Sequence, residues 1–192
     1  MDDAVLQSHA PRKAHSRSAV ERIVAGLNLE ESNRVLAEHW LSLWDGNALP
    51  PRARFNPAKL KSYLPSILMF DVVPDRSVKV RLAGTGYRYV LERDPTGEDW
   101  IAAAPQSHRD TRLRSFSAIA RGAVLVAHRR VAMLHDGQHV SEEILLPFAP
   151  DAHGVVTVLG RVNFKADEFR HIRSAPQILG DPLDVILVPF EN

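Results

Sequence analysis

The chain has 192 residues, 45% apolar and 24% charged, with 24 Lys and Arg against 23 Asp and Glu. That is enough to bury a core without disulfides or metal, and the near-neutral balance gives no reason to expect a nucleic acid or an acidic membrane as partner. The absence of cysteine removes disulfides, thiolate nucleophiles and zinc–thiolate sites, and it fits a reducing cytoplasm. There is no apolar run of about 18 residues, and the acidic start Met-Asp-Asp lacks an apolar signal region, so neither a membrane span nor a secretory leader is expected.

Residues 1–16 read as a poorly ordered polar arm. Residues 17–46 read as two helices. Ser18 to Glu21 has capping-box spacing ahead of Val20, Ile23, Val24 and Leu27, with Gly26 as the stop. Asn28 to Glu31 repeats the signal, and Val35, Leu36, His39, Trp40 and Leu43 form one apolar face that ends at Gly46. Val35, Leu36, Trp40 and Leu43 are candidates for a homodimer contact; the alternative is that they fold back on their own domain.

Residues 47–164 carry the remaining domain. Pro57 opens a short helix that ends before Pro65. Ser66 to Val73 is nearly continuously apolar, as for a central strand, and Pro74-Asp75-Arg76 turns it. Ser77 to Ala83 alternates, with Val78, Val80 and Leu82 assigned to one face. Gly84-Thr85-Gly86 breaks the strand. Short helical pieces fill Tyr87 to Trp100, and a longer helix runs from about Gln106 to Arg121 before Gly122. Ala123–Leu134 and His139–Phe148 read as a hairpin about Asp136-Gly137, and Val155–Asn163 as a further strand. Residues 165–192 are a tail whose apolar piece, Val185 to Val188, is either an extra edge strand or a contact with a partner.

The order strand, strand, short helices, longer helix and three strands is that of a PAS domain. The phrases Leu43-Trp44-Asp45-Gly46, Leu49-Pro50-Pro51-Arg52, Phe55-Asn56-Pro57, Leu64-Pro65, Arg81-Leu82-Ala83-Gly84-Thr85 and Thr96-Gly97 resemble the PAS_5 family of small bacterial PAS-like proteins, mainly alphaproteobacterial, over residues 32 to 164. The resemblance implies an α+β fold: a five-stranded antiparallel sheet in the order 2-1-5-4-3 with helices on one face, preceded here by the N-terminal helices. It implies a sensory or regulatory module in signalling. It carries no cofactor over to this chain.

A pocket in such a fold lies between sheet and central helices. Its candidate lining is Val80, Leu82, Tyr87, Trp100, Leu113, Phe116, Ile119, Val124, Val126 and Leu146; the same residues equally make an ordinary core. Arg81 with Gly84 and Thr85 forms a polar corner, holding an anion or pairing with Asp94, Glu98 or Asp99. Gly84-Thr85-Gly86 lacks the lysine and long helix of a phosphate loop. His108 matches the region where haem-binding PAS domains place a ligand, yet a lone histidine at a helix start is ordinarily solvated. His135 and His139 flank the hairpin turn, so no metal pair is expected. Glu142 and Glu143 are adjacent on a strand and diverge. Arg109, Arg112, Arg114, Arg121, Arg129 and Arg130 are candidates for a basic patch. No catalytic motif is present. The expectation is a stand-alone cytoplasmic, non-enzymatic regulatory module, with no kinase, cyclase or DNA-binding output domain of its own, that binds a small ligand, a signalling protein or both. The alternatives are a ligand-free adaptor and a small cystatin-like enzyme with a titratable group inside an open cavity.

Overall fold

The computed structural model describes residues 17–45, 48–91, 93–133, 137–162, 177–178 and 184–189. Helices α1 (Arg17–Ala25) and α2 (Glu31–Ser42) come first, followed by 3-10 stretches at Arg52–Arg54 and Pro57–Ser66. Strands β1 (Ile67–Val73) and β2 (Ser77–Ala83) lead into α3 (Thr85–Leu91) and α4 (Arg109–Ala120). Strands β3 (Ala123–Met133), β4 (Gly137–Pro147) and β5 (Val156–Val162) follow, with β6 (Gln177–Ile178) and β7 (Asp184–Pro189) in the tail.

The sheet order is β2-β1-β5-β4-β3, and both tail strands pair with β3. β1 is interior, which explains its continuous apolar run: Ile67 to Phe70 are buried from both sides. β2 is the edge, and the loop after α3 seals it. Val80 N–H donates to Glu98 O at 3.0 Å, Gly97 N–H to Val80 O at 2.7 Å, and Trp100 N–H to Val78 O at 2.8 Å. At the other side β7 pairs with β3 from Ala123↔Pro189 to His128↔Asp184. The Val185–Val188 piece is therefore a strand of its own sheet.

Both sheet faces are covered. α3 and α4 cover one, packing Tyr87, Phe116 and Ile119 on Phe70, Val72, Val80, Leu125 and Leu145. α1 and α2 cover the other, packing Val20, Leu36, Ala37 and Trp40 on Met69, Val126, Ile144, Leu146 and Leu159. Each large side chain so buried contributes roughly 1.5–3 kcal/mol. Leu36 and Trp40 are fully buried, and the Trp40 indole donates to Pro147 O at 2.8 Å. Of the two readings of the α2 face, folding back on the domain is the one seen: Leu36, Trp40 and Leu43 are buried, and Val35 packs half-buried against the same core.

Several local expectations change. Ser18 lies inside α1 rather than capping it. Asn28 does not cap α2, whose cap position is Glu30 with no side-chain cap of its own; the Glu142 carboxylate accepts the Glu30 N–H at 3.1 Å instead. A helix starts at Thr85, straight from the Gly84 break. Gly84 is fixed by close approach, because a Cβ there would lie 2.2 Å from Leu64 O. Gly122, at φ 96°, ends α4 as a left-handed stop. In the hairpin His139 pairs with Val131, and Met133 with Gly137, so three residues connect the strands and Gly137, expected in the turn, already belongs to β4. His135 and Asp136 lie outside the described residues.

Candidate functional site

The ten pocket candidates do not share one place. Val80, Tyr87, Trp100, Leu113, Phe116 and Ile119 belong to the core under α3 and α4. Val124, Val126 and Leu146 belong to the opposite core, under α2. Alternation along β3 and β4 explains the division, since Leu125 and Leu145 face α4 while their neighbours in sequence face away.

Leu82 is displaced for a different reason. Phe70 pairs with Val80 but Met69 pairs with Leu82, so the register shifts and Arg81 is the extra residue. Such a bulge reverses which face the next side chain takes. Leu82 therefore leaves the face of Val78 and Val80 and becomes 45% exposed on the α2 side. Arg81 pairs across the strands with Asp71 at 2.9 Å. The expected acids are engaged elsewhere: Asp94 with Arg88 at 2.5 Å, and Glu98 with Arg93 at 2.8 Å.

Aromatic rings fill the space between α4 and the sheet. The Phe70 ring lies 4.9 Å from Phe116 and 5.5 Å from Trp100, and Arg112 caps Trp100 at 5.2 Å. The polar atom inside is the Tyr87 hydroxyl. It donates to Ser66 O at 3.2 Å and accepts from Val162 N–H at 3.1 Å. Burial raises its pKa far above the ordinary phenol value, against the opposing effect of the Val162 N–H.

The α2 face holds a buried polar network that the sequence reading missed. Asn33 donates to the Glu142 carboxylate at 2.8 Å and to its backbone O at 3.2 Å. Arg161 donates to Ser66 Oγ at 2.8 Å, Ser32 Oγ at 2.6 Å and Asn33 Oδ1 at 2.8 Å. Its guanidinium also lies 5.6 Å from the Tyr63 ring. Burial pulls Arg161 below its ordinary pKa, while Tyr87, Tyr63 and Glu142 oppose that shift. Arg161 was visible as the one charge in β5, whose remaining residues are small or apolar. Glu142 and Glu143 do diverge: Glu142 is buried and Glu143 half-buried. The network's hydrogen bonds are mutual and hold α2 on the sheet.

An open groove of about 230 Å³ lies beside this network, lined by Arg52, Ala53, Phe55, Pro57, Leu64, Ile67, Met69 and Leu82. Arg52 has no side-chain partner among the described residues. The His39 ring lies tilted against Phe55 at 5.8 Å, and burial followed by the charge of Lys59 lowers its pKa.

The expected basic patch is largely engaged locally. Arg109 binds Ala104 O at 3.0 Å and Ala102 O at 2.9 Å, Arg112 binds Trp100 O at 3.0 Å, and Arg121 pairs with Asp75. The side chains of Arg129, Arg130 and His139 lie outside the described residues. His108 is half-buried at the start of α4 and is not part of the ring-filled core. Among the described residues no cluster of three potential metal ligands occurs, and no helix is long and apolar enough to cross a membrane.

A sheet ordered 2-1-5-4-3, with the helices between its second and third strands packed on one face, defines a PAS-type domain, the class of fold used in sensory and regulatory modules. The PAS_5 family model, described as a PAS domain, matches residues 29–163, and the chain belongs to that family. The match runs from just before α2 to just past β5, so it includes the helix that closes the second face. No curated protein matches the chain.

Proposed function

We propose that the protein is a PAS-type regulatory module that works by contact with another protein and carries out no reaction itself. The observation behind this reading is the set of rings Phe70, Trp100 and Phe116, which occupies the space where a PAS ligand would lie. A small molecule entering there has to displace a packed aromatic core, which costs more than a preformed pocket would. The buried carboxylate among the described residues, Glu142, lies on the opposite face, where Asn33 and the Glu30 N–H hold it, and this disfavours the cystatin-like enzyme. Leu36 and Trp40 are used within the chain, so the partner contact falls on exposed surface.

Thermal unfolding of the full chain against nucleotides, amino acids, organic acids, flavins and haem tests the reading. A ligand at about a hundred times its Kd stabilises by roughly 2.7 kcal/mol, an effect easily seen. No shift is expected. A clear rise that disappears when Phe116 is replaced by Trp would overturn the reading. Crosslinking of the full chain in cells tests the contact itself: a discrete adduct with a second protein is expected, and recovery of the uncrosslinked chain alone counts against it.

A further inference from the structure

The groove on the α2 face is an apolar trough with one cation at its rim. The β-bulge at Arg81 turns Leu82 into it, where Leu82 is the exposed large hydrophobic residue among the described ones. Phe55, Leu64 and Met69 complete the trough, and Arg52 stands beside them without a partner among the described residues. A ligand matched to this surface is a short apolar segment preceded by negative charge.

We propose that the groove seats the chain's own N-terminal segment Asp2-Asp3-Ala4-Val5-Leu6, with Val5 and Leu6 against Leu82 and Phe55 and the two carboxylates facing Arg52. The first support is the sequence itself, since this is an acidic pair followed directly by three apolar residues. The second is where the described chain begins. Arg17, at the start of α1, donates to Trp44 O at 3.2 Å. Arg54, two residues from Arg52, donates to Leu43 O at 3.2 Å. The start of α1 and the rim of the groove thus sit on the same short stretch of backbone.

The third support is reach. Leu6 lies eleven residues before Arg17 (17 − 6), and eleven residues span up to about 38 Å when extended. Tethering sets the local concentration on the order of millimolar, so a groove too weak to hold a free peptide is still filled from its own chain. The segment then occupies an exposed apolar face until a competing partner displaces it. This goes beyond the contact reading, which stands or falls independently.

The full chain can be tested directly, because it has no cysteine and three methionines, Met1, Met69 and Met133. A nitroxide on Gln7→Cys should broaden the carbon-13 methyl signal of Met69, which lines the groove, severalfold relative to the reduced label. Leu82→Asp and Arg52→Glu, both at exposed positions, should each relieve that broadening, with an unchanged thermal midpoint reporting that the fold is retained. Adding Asp2→Arg and Asp3→Arg to Arg52→Glu should restore it. An unbroadened Met69 signal, or broadening that the groove variants leave unchanged, overturns the proposal. Equal broadening in a mixture of spin-labelled and isotope-labelled chains also overturns it, in favour of a second copy.

Discussion

Under α4 the sheet presents Phe70, Val80 and Leu145 to Phe116 and Ile119. Under α2 it presents Ile144 and Leu146 together with Glu142 and Arg161. Both faces are closed by a helix, but by different forces. The α4 face relies on area and ring packing, which are strong and nearly indifferent to direction. The α2 face adds hydrogen bonds: Ser32 accepts from Arg161, and Asn33 and the Glu30 N–H donate to Glu142. Those bonds are made in one position only, and sliding α2 along the sheet would leave a buried carboxylate and guanidinium unpaired. Apolar burial holds the layers together, whereas the polar network fixes where α2 lies.

The largest expected effects test that contrast. Phe70→Ala removes a fully buried ring and should cost about 3–5 kcal/mol in denaturant unfolding. Arg161→Met should cost a similar ~3–5 kcal/mol because Ser66, Ser32 and Asn33 lose a buried donor and the buried Glu142 loses a nearby positive charge. The double variant with Glu142→Leu should recover part of that loss. Recovery is specific to a polar network, and its absence would make the two faces equivalent.

A smaller effect separates them by pH. Burial, followed by the charge of Lys59, holds the folded pKa of His39 below the ordinary histidine value of 6.5, so the native state favours the neutral ring. The unfolded chain binds the proton first, and stability should fall as pH drops below about 6.5 through the folded pKa. His39→Gln should flatten that slope in urea midpoints measured between pH 7 and 5. Asp45, Asp75, Asp94 and Asp151, lowered from 3.8, act only at more acidic pH. The smallest effect is Leu82→Ser, at a position 45% exposed, which should change stability by no more than about 0.5 kcal/mol. A larger loss would mean that Leu82 belongs to a core after all.

Strand positions were legible because their signals are local. Pro74 to Arg76, Gly84 and Gly122 punctuate the chain where the elements end. Faces were legible only while alternation held. One extra residue at Arg81 moved Leu82 to the other side, and nothing in the spacing of Val78, Val80 and Leu82 announces it. Asn33, Glu142 and Arg161 are far apart in sequence and meet only after the sheet forms. A lone arginine within Val156–Val162 was the available hint. The α2 cap was missed for the same reason: its acceptor comes from Glu142, 112 residues away, rather than from Asn28.

The Tyr87 hydroxyl joins α3 to the ends of two strands, through Ser66 O and Val162 N–H. The Val162 amide thus donates to a helix side chain just beyond the last β1–β5 pair, Ile67↔Arg161. Its hydrogen exchange should be slow while α3 is seated and speed up when the helix lifts, making one amide at the end of β5 a clock for an opening on the opposite side of the domain from α2.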